Sequence, residues 1–297
     1  MSSALVGIGP TPVEVPPVVH ALAGRLRPGA TAVPVWRNDY GGLTVRLGPA
    51  AAPSRTVGPY LKWVPEASAC PDPLAEADRL VWAGSFTRLP RVLDAGRDEH
   101  GSWLLTAAVR AGGEVATSAV EPRWRAHAER AAIAIGVGLR RLHDALPTDT
   151  CPFVRSAGAR VDALTTDTTA PLDDAERAAL REALGEAPSV DRLVVCHGDA
   201  TVPNTLLDRT GRFAAHVDVG DLGVGDRWSD LAVTTRSVTR RYGAGLEPLV
   251  LAAYGVAPDR ERTAYYRALW DAEEAVRTRR AAGGPVRRQD AGRGRGA

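Results

Sequence analysis

Val194-Val195-Cys196-His197-Gly198-Asp199-Ala200-Thr201-Val202-Pro203-Asn204 begins as an apolar run and ends in polar residues that cannot continue as a helix past Pro203. Residues 193–196 therefore predict a buried strand, and Asp199 is delivered at its end. Two short strands follow at 206–207 and 213–219, joined by the polar turn Asp208-Arg209-Thr210-Gly211. A hairpin of that shape brings Val217-Asp218-Val219-Gly220 back towards Asp199 and Asn204. Taken singly, each of these residues has a plainer explanation: an Asp at a strand end is usually a turn residue or a cap, and a lone His is usually structural. The trio taken together suits phosphoryl transfer. Magnesium, a hard ion that retains water, needs only a carboxylate and an amide carbonyl, and a second carboxylate can orient an attacking hydroxyl.

Asp199, Asn204 and Asp218-Val219-Gly220 stand at the spacing of the kinase catalytic and metal-binding elements, with Gly198 in place of the usual Arg and Val219 in place of Phe. The run 217–232, Val217-Asp218-Val219-Gly220-Asp221-Leu222-Gly223-Val224-Gly225-Asp226-Arg227-Trp228-Ser229-Asp230-Leu231-Ala232, extends the match. Through this segment the chain resembles the aminoglycoside phosphotransferases, above all the 3′-phosphotransferases. Shorter islands carry the resemblance from about Trp36 to Glu274. It implies an α+β, protein-kinase-like two-lobed fold: an N-lobe of antiparallel sheet plus one helix, and a mainly helical C-lobe. The implied activity is ATP-dependent O-phosphorylation of an aminoglycoside at its 3′-hydroxyl, giving antibiotic resistance. The implied cofactors are ATP and Mg2+, with Asp199 as the catalytic base and Asn204 and Asp218 as metal ligands.

Lys62 is the only lysine among 37 basic residues other than histidine. It lies on a predicted strand, 59–64, where Tyr60 shares its face. A lysine there can bridge phosphates if a carboxylate holds it, or can simply face solvent. Glu76 is the candidate partner, in a helix predicted to start with Asp72 as N-cap and Pro73 at its first position and to end at Gly84. Tyr60 resembles the aromatic that stacks on adenine in the family. Strands at 33–36 and 43–47 flank Asn38-Asp39-Tyr40-Gly41-Gly42, either an ordinary hairpin turn or, by position in the family, a loop over nucleotide phosphates made by Gly41 and Gly42. Further strands at 91–94 and 103–106 complete the N-lobe, residues 1–106. A hinge near 106–110 leads to the C-lobe, 107–281, which holds a long helix at 122–146 and a later helix at 226–238 that places Asp230 to support the catalytic loop.

Of its 297 residues 44% are hydrophobic, enough for a substantial core, and Lys+Arg 37 against Asp+Glu 35 leaves no field suited to nucleic acid. Three widely spaced cysteines argue against disulfides and zinc, and neither a signal peptide nor a membrane helix is legible, so a cytoplasmic enzyme is expected, without a membrane or obligate protein partner. Acceptor-side acids are sought at Asp173 and Asp174, in a short insert between 151 and 193, and at Asp271 and Glu274 on a last helix, 262–274. Asp173 is equally a helix cap. Three positions depart from the family: Asp221 replaces an Arg, and Arg240 and Arg241 stand where acids hold the drug's ammonium groups. A kinase of another small hydroxylated molecule, such as a peptide antibiotic or amino alcohol, shares the same catalytic set. A non-catalytic nucleotide-binding pseudokinase is the alternative of a different class. Residues 282–297 are Gly/Arg-rich and predicted to be a disordered basic tail.

Overall fold

Lys62 sits in the middle strand of an antiparallel sheet, and the described elements N-terminal to residue 107 are arranged around that strand. The computed structural model describes residues 13–38, 41–49, 58–66, 68, 70–166 and 171–282. Helix α1 (Pro17–Leu26) leads into β1 (Thr31–Arg37), β2 (Leu43–Gly48) and β3 (Tyr60–Pro65); α2 (Pro73–Ala83) intervenes before β4 (Val92–Asp98) and β5 (Gly101–Thr106). The strand order is β1-β2-β3-β5-β4, with Lys62 opposite Thr44 on one side and Leu104 on the other. Alternation along β3 buries Leu61 and Trp63 against Val19 and Leu22 of α1, and leaves Tyr60 and Lys62 half-buried on the opposite face.

Helix α2 begins as its sequence dictates. The Asp72 carboxylate accepts the Leu74 amide at 3.0 Å and Pro73 occupies the first turn, where its missing N–H costs nothing. Its inner face, Ala77, Leu80 and Ala83, belongs to one continuous core with Leu139, Leu142, Val195, Val219 and Leu222 from the second half of the chain. The helix thus packs on both halves of the molecule.

Strands β6 (Arg110–Ala111), β7 (Glu114–Val115) and β8 (Thr117–Ser118) connect to the helical half: α3 (Ala128–Ala145), α4 (Ala157–Thr166), α5 (Asp174–Leu184), β9 (Leu193–Cys196), β10 (Thr205–Leu207), β11 (Phe213–His216), β12 (Gly223–Asp226), α6 (Trp228–Tyr242), α7 (Glu247–Tyr254) and α8 (Arg260–Ala282). Several boundaries differ from expectation. The strand expected over 213–219 stops at His216, so Asp218 and Val219 lie in the following turn, and the strands expected at 91–94 and 103–106 run 92–98 and 101–106. The helix expected from residue 122 winds first as a 3-10 turn, Pro122–His127, that buries Trp124 against Ala131, Ile135 and Leu207. Asp226 is not helical: it ends β12 and its carboxylate accepts the Trp228 amide at 3.0 Å, so α6 starts two residues later. The last helix is longer than 262–274 at both ends and runs through the expected tail boundary at 282; residues 283–297 lie outside the described residues. Strand β12, glycine-rich and without a strand signal, is held by antiparallel pairing to β9 and by segment 153–155, whose Phe153 carbonyl and Arg155 amide bond Val224 at 2.8 Å each. Among the described residues no helix is long and apolar enough to cross a membrane.

Candidate active site

Strand β9 ends at Cys196, and the next residues are pinned from three sides. Asp230, buried in the first turn of α6, accepts the His197 amide at 2.6 Å, the Gly198 amide at 2.9 Å and His143 Nε2 at 2.9 Å; His143 Nδ1 faces the Tyr254 hydroxyl at 2.8 Å. Burial would raise the Asp230 pKa, but the hydrogen bond and charge of His143 and the Gly198 amide outweigh it and bring it down to about 2. His197 turns inward, accepting the Asp199 amide on Nδ1 at 3.2 Å and donating from Nε2 to the Val217 carbonyl at 3.0 Å; burial lowers its pKa, so it is a neutral strut between the two arms of the site. Gly198 explains the missing Arg. Its φ is 88°, and a Cβ there would lie 2.2 Å from the Asp221 carbonyl oxygen, so no side chain is admitted.

An arginine is supplied from elsewhere. Arg155 donates from Nη2 to the Gly198 carbonyl at 2.9 Å and pairs with Asp221 at 3.4 Å and Glu273 at 3.7 Å. Asp221, the departure from the family pattern, therefore lies between Arg155 and Arg277, the latter at 3.8 Å. No periodicity or motif distinguishes Arg155 in the sequence. Its identity as a partner of the loop depends on the pairing of segment 153–155 with β12.

Asp199 and Asn204 meet directly: Asn204 Nδ2 donates to the Asp199 carboxylate at 2.9 Å and to its carbonyl at 3.0 Å, and the Val217 amide donates to the Asn204 carbonyl at 3.0 Å. The other carboxylate oxygen of Asp199, Oδ1, is buried without a hydrogen-bond partner. Burial, with Asp218 and Asp221 nearby, raises the Asp199 pKa to about 7 against the opposing pull of Arg277. Such a carboxyl is poised to take a proton near neutrality.

Asp218 follows with φ 60°, the one non-glycine residue at positive φ among the described residues. In that left-handed conformation its carboxylate accepts Lys62 Nζ at 2.8 Å, and Lys62 also pairs with Glu76. Burial alone would discharge the ammonium; Asp218 and Glu76 together hold its pKa above the ordinary lysine value. The three side chains come from β3, α2 and the turn after β11. Tyr60 lies one alternation along β3, within electrostatic reach of Arg46 and Glu121. At the β1–β2 turn Gly42 donates to Asn38 Oδ1 at 2.7 Å, and a Cβ on it would meet Asn38 Nδ2 at 2.7 Å and Cys70 Sγ at 2.9 Å; Gly41 has φ 91°. Asp39 and Tyr40 of that turn lie outside the described residues.

The donor set here, a carboxylate on Asp218 and the amide carbonyl of Asn204, is all hard oxygen, and it leaves the unpartnered Asp199 Oδ1 for the acceptor hydroxyl. It fits magnesium completed by phosphate and water, whereas no cluster of three or more His, Cys, Asp or Glu suited to a metal exists among the described residues.

The expected acceptor-side acids separate. Asp173 caps α5 in a capping box with Glu176 (Glu176 amide to Asp173 Oδ1, 2.8 Å), and Asp174 is exposed in the first turn of the same helix. Asp271 is engaged by a fork from Arg236 and Glu274 by Arg277. Of the four, Glu274 is the one among the main contributors to the field at Asp199. Arg241 points away, donating to the Val120 carbonyl at 2.6 Å, while Arg240 is exposed within range of Arg236, Asp271 and Glu274.

A profile described as the phosphotransferase enzyme family, APH, matches residues 35–266. The chain belongs to that family, the aminoglycoside phosphotransferases. It is 32% identical over 257 residues to an aminoglycoside 3′-phosphotransferase of Streptomyces fradiae, covering 79% of this chain and 92% of that one. A streptomycin 3″-kinase of Streptomyces griseus is 30% identical over 233 residues, covering 70% and 82%. The crystal structure of an aminoglycoside-3′-phosphotransferase of type VIII superposes with TM-score 0.66 at 31% identity, covering 86% of this chain and 97% of that one. The two-lobed kinase-like fold follows, and with it the class of reaction: this phosphotransferase uses ATP to phosphorylate a hydroxyl of a small molecule.

Proposed function

We propose that the chain transfers the γ-phosphate of ATP to the 3′-hydroxyl of an aminoglycoside antibiotic in the cytoplasm and so confers resistance. The observation that carries this is the convergence of Lys62, Glu76 and Asp218 on one side of Asp199 and Asn204. Asp199 accepts the proton of the acceptor hydroxyl and aims its oxygen; its raised pKa, about 7, suits a base that must both take and release that proton. Asn204 and Asp218 would hold magnesium, which would supply neutralisation of charge on the phosphoryl oxygens. Lys62, kept charged and immobile by Glu76, fixes the α- and β-phosphates; Gly41 and Gly42 cover them, and Tyr60 lies under the adenine. Because the transition state is loose, positioning and charge neutralisation supply most of the acceleration.

Similarity to enzymes named for both 3′ and 3″ chemistry supports an aminoglycoside acceptor, and the larger share of 3′ names among the relatives supports the 3′ position. A second reading, a less cationic hydroxylated acceptor, is favoured by the pairing of Asp271 with Arg236 and of Glu274 with Arg277, which occupies two of the acids an ammonium would use. Incubating the chain with magnesium, ATP and a panel of aminoglycosides, peptide antibiotics and amino alcohols, then weighing the products, separates the two. Gain of one phosphoryl group on an aminoglycoside, lost in Asp199→Ala, is expected. Phosphorylation confined to the other acceptors would sink the first reading in favour of the second.

A further inference from the structure

Arg79 follows Glu76 by three residues and shares its side of α2. Its Nε donates to the Leu222 carbonyl at 3.0 Å, its Nη1 donates to the Ala75 carbonyl at 2.9 Å, and its guanidinium carbon lies 4.5 Å from the centre of the Phe153 ring. The Leu222 amide closes on the Val219 carbonyl at 3.0 Å, so the residue Arg79 holds is the end of the turn that starts directly after Asp218. One helical turn back, the backbone of Val219 faces the Glu76 carboxyl and favours its ionised form. Successive turns of α2 therefore both face residues 219–222, Glu76 towards Val219 and Arg79 through its hydrogen bond to Leu222. The platform beneath the guanidinium is tied to the same place, since the Phe153 carbonyl accepts the Val224 amide at 2.8 Å. A planar, charged group fits this position because it can lie on an aromatic face while its in-plane N–H groups reach two carbonyls. A lysine ammonium has donors of its own but no planar face to lie on the ring while they reach the carbonyls.

We propose that Arg79 is a positioning residue for phosphoryl transfer, latching α2 to the turn after Asp218 so that Glu76, Lys62 and Asp218 are set in place together. It touches neither nucleotide nor acceptor. The apolar face of α2, with Ala77, Leu80 and Ala83, keeps the helix on the core without it, but that face can slide, whereas hydrogen bonds to fixed carbonyls cannot. The latch rests on the assignment of Lys62, Glu76 and Asp218 to the nucleotide side of the site.

The test is calorimetric binding of MgATP to the full chain without acceptor, in wild type, Arg79→Met, Arg79→Lys, Glu76→Gln and the Arg79→Met/Glu76→Gln double variant, each with its thermal midpoint. Arg79→Met keeps the apolar stem and is expected to weaken MgATP about ten-fold, the loss of a charge-assisted hydrogen bond. Arg79→Lys recovers part of this and serves if the methionine variant does not fold. The double variant falls short of the sum of the single losses, because both act through one element. Affinity within about twofold of wild type in both Arg79 variants, or losses that simply add to that of Glu76→Gln, would overturn the latch while leaving the nucleotide assignment standing. Unchanged affinity in Glu76→Gln would overturn that assignment and the latch with it.

Discussion

Asp230 should be worth several kcal/mol to this protein, on the order of a buried, fully bonded carboxylate. Its carboxylate is 1% exposed and collects three donors, the His197 and Gly198 amides and His143 Nε2. A folded pKa of about 2 against an ordinary 3.8 is a preference for the ionised form of about 2–3 kcal/mol at neutral pH. Removing the carboxylate also leaves buried backbone donors unmet, so Asp230→Ala is expected to cost about 3–5 kcal/mol. Asp230→Asn should not rescue it, since its NH2 group would face a donor where the carboxylate oxygen accepts. The folded pKa is depressed, so this contribution is complete above about pH 4 and is lost as pH falls through about 2. The gap between wild type and variant in urea unfolding should therefore be full at neutral pH and shrink towards about pH 3. The same variants should lose about 100-fold or more in kcat, because the Asp199 backbone loses its anchors, while MgATP affinity, set at Lys62, changes little. A stability loss below about 1 kcal/mol, or a gap that widens on acidification, would refute the reasoning.

Other perturbations test other parts of the site. Asp199→Asn should abolish phosphoryl transfer and raise Tm by about 2 °C or more above neutrality, because ionising a carboxyl whose folded pKa is raised from 3.8 to about 7 opposes folding progressively across that interval; a gain in Tm that is larger near pH 4 than near pH 8 would count against it. Lys62→Ala should raise the KM for ATP about ten-fold or more and leave the acceptor KM nearly unchanged, read from initial rates at saturating co-substrate. Gly198→Ala should destabilise by more than about 1 kcal/mol and distort the loop, since the added methyl meets the Asp221 carbonyl and the backbone is left-handed; a fully active, equally stable variant contradicts the close approach. Arg155→Met should lower kcat more than it changes either KM, since it removes the support of the Gly198 carbonyl without touching a ligand side chain.

What could be read from the chain alone is what neighbours in sequence decide. Asp72 and Pro73 start α2, Asp173 and Glu176 close the capping box of α5, and Tyr60 and Lys62 share a face of β3, because each depends on dihedral preferences and periodicity within a few residues. The spacing of Asp199 and Asn204 belongs to the same class: a tight loop of that length leaves their side chains little choice but to meet. The resemblance to a family extended this reach to Lys62, Glu76 and Asp218, which no local rule connects. Beyond that, only the packed molecule could choose. Nothing near Arg155 in sequence says that it serves the Gly198 carbonyl, nothing in a run of glycines says that β12 pairs with β9, and Asp271 and Glu274 both look available until Arg236 and Arg277 close on them. These partnerships lie between segments dozens of residues apart. They form because burial forces each charge or carbonyl to find whichever complementary group the fold has brought within reach, and that group is known only once the core is assembled.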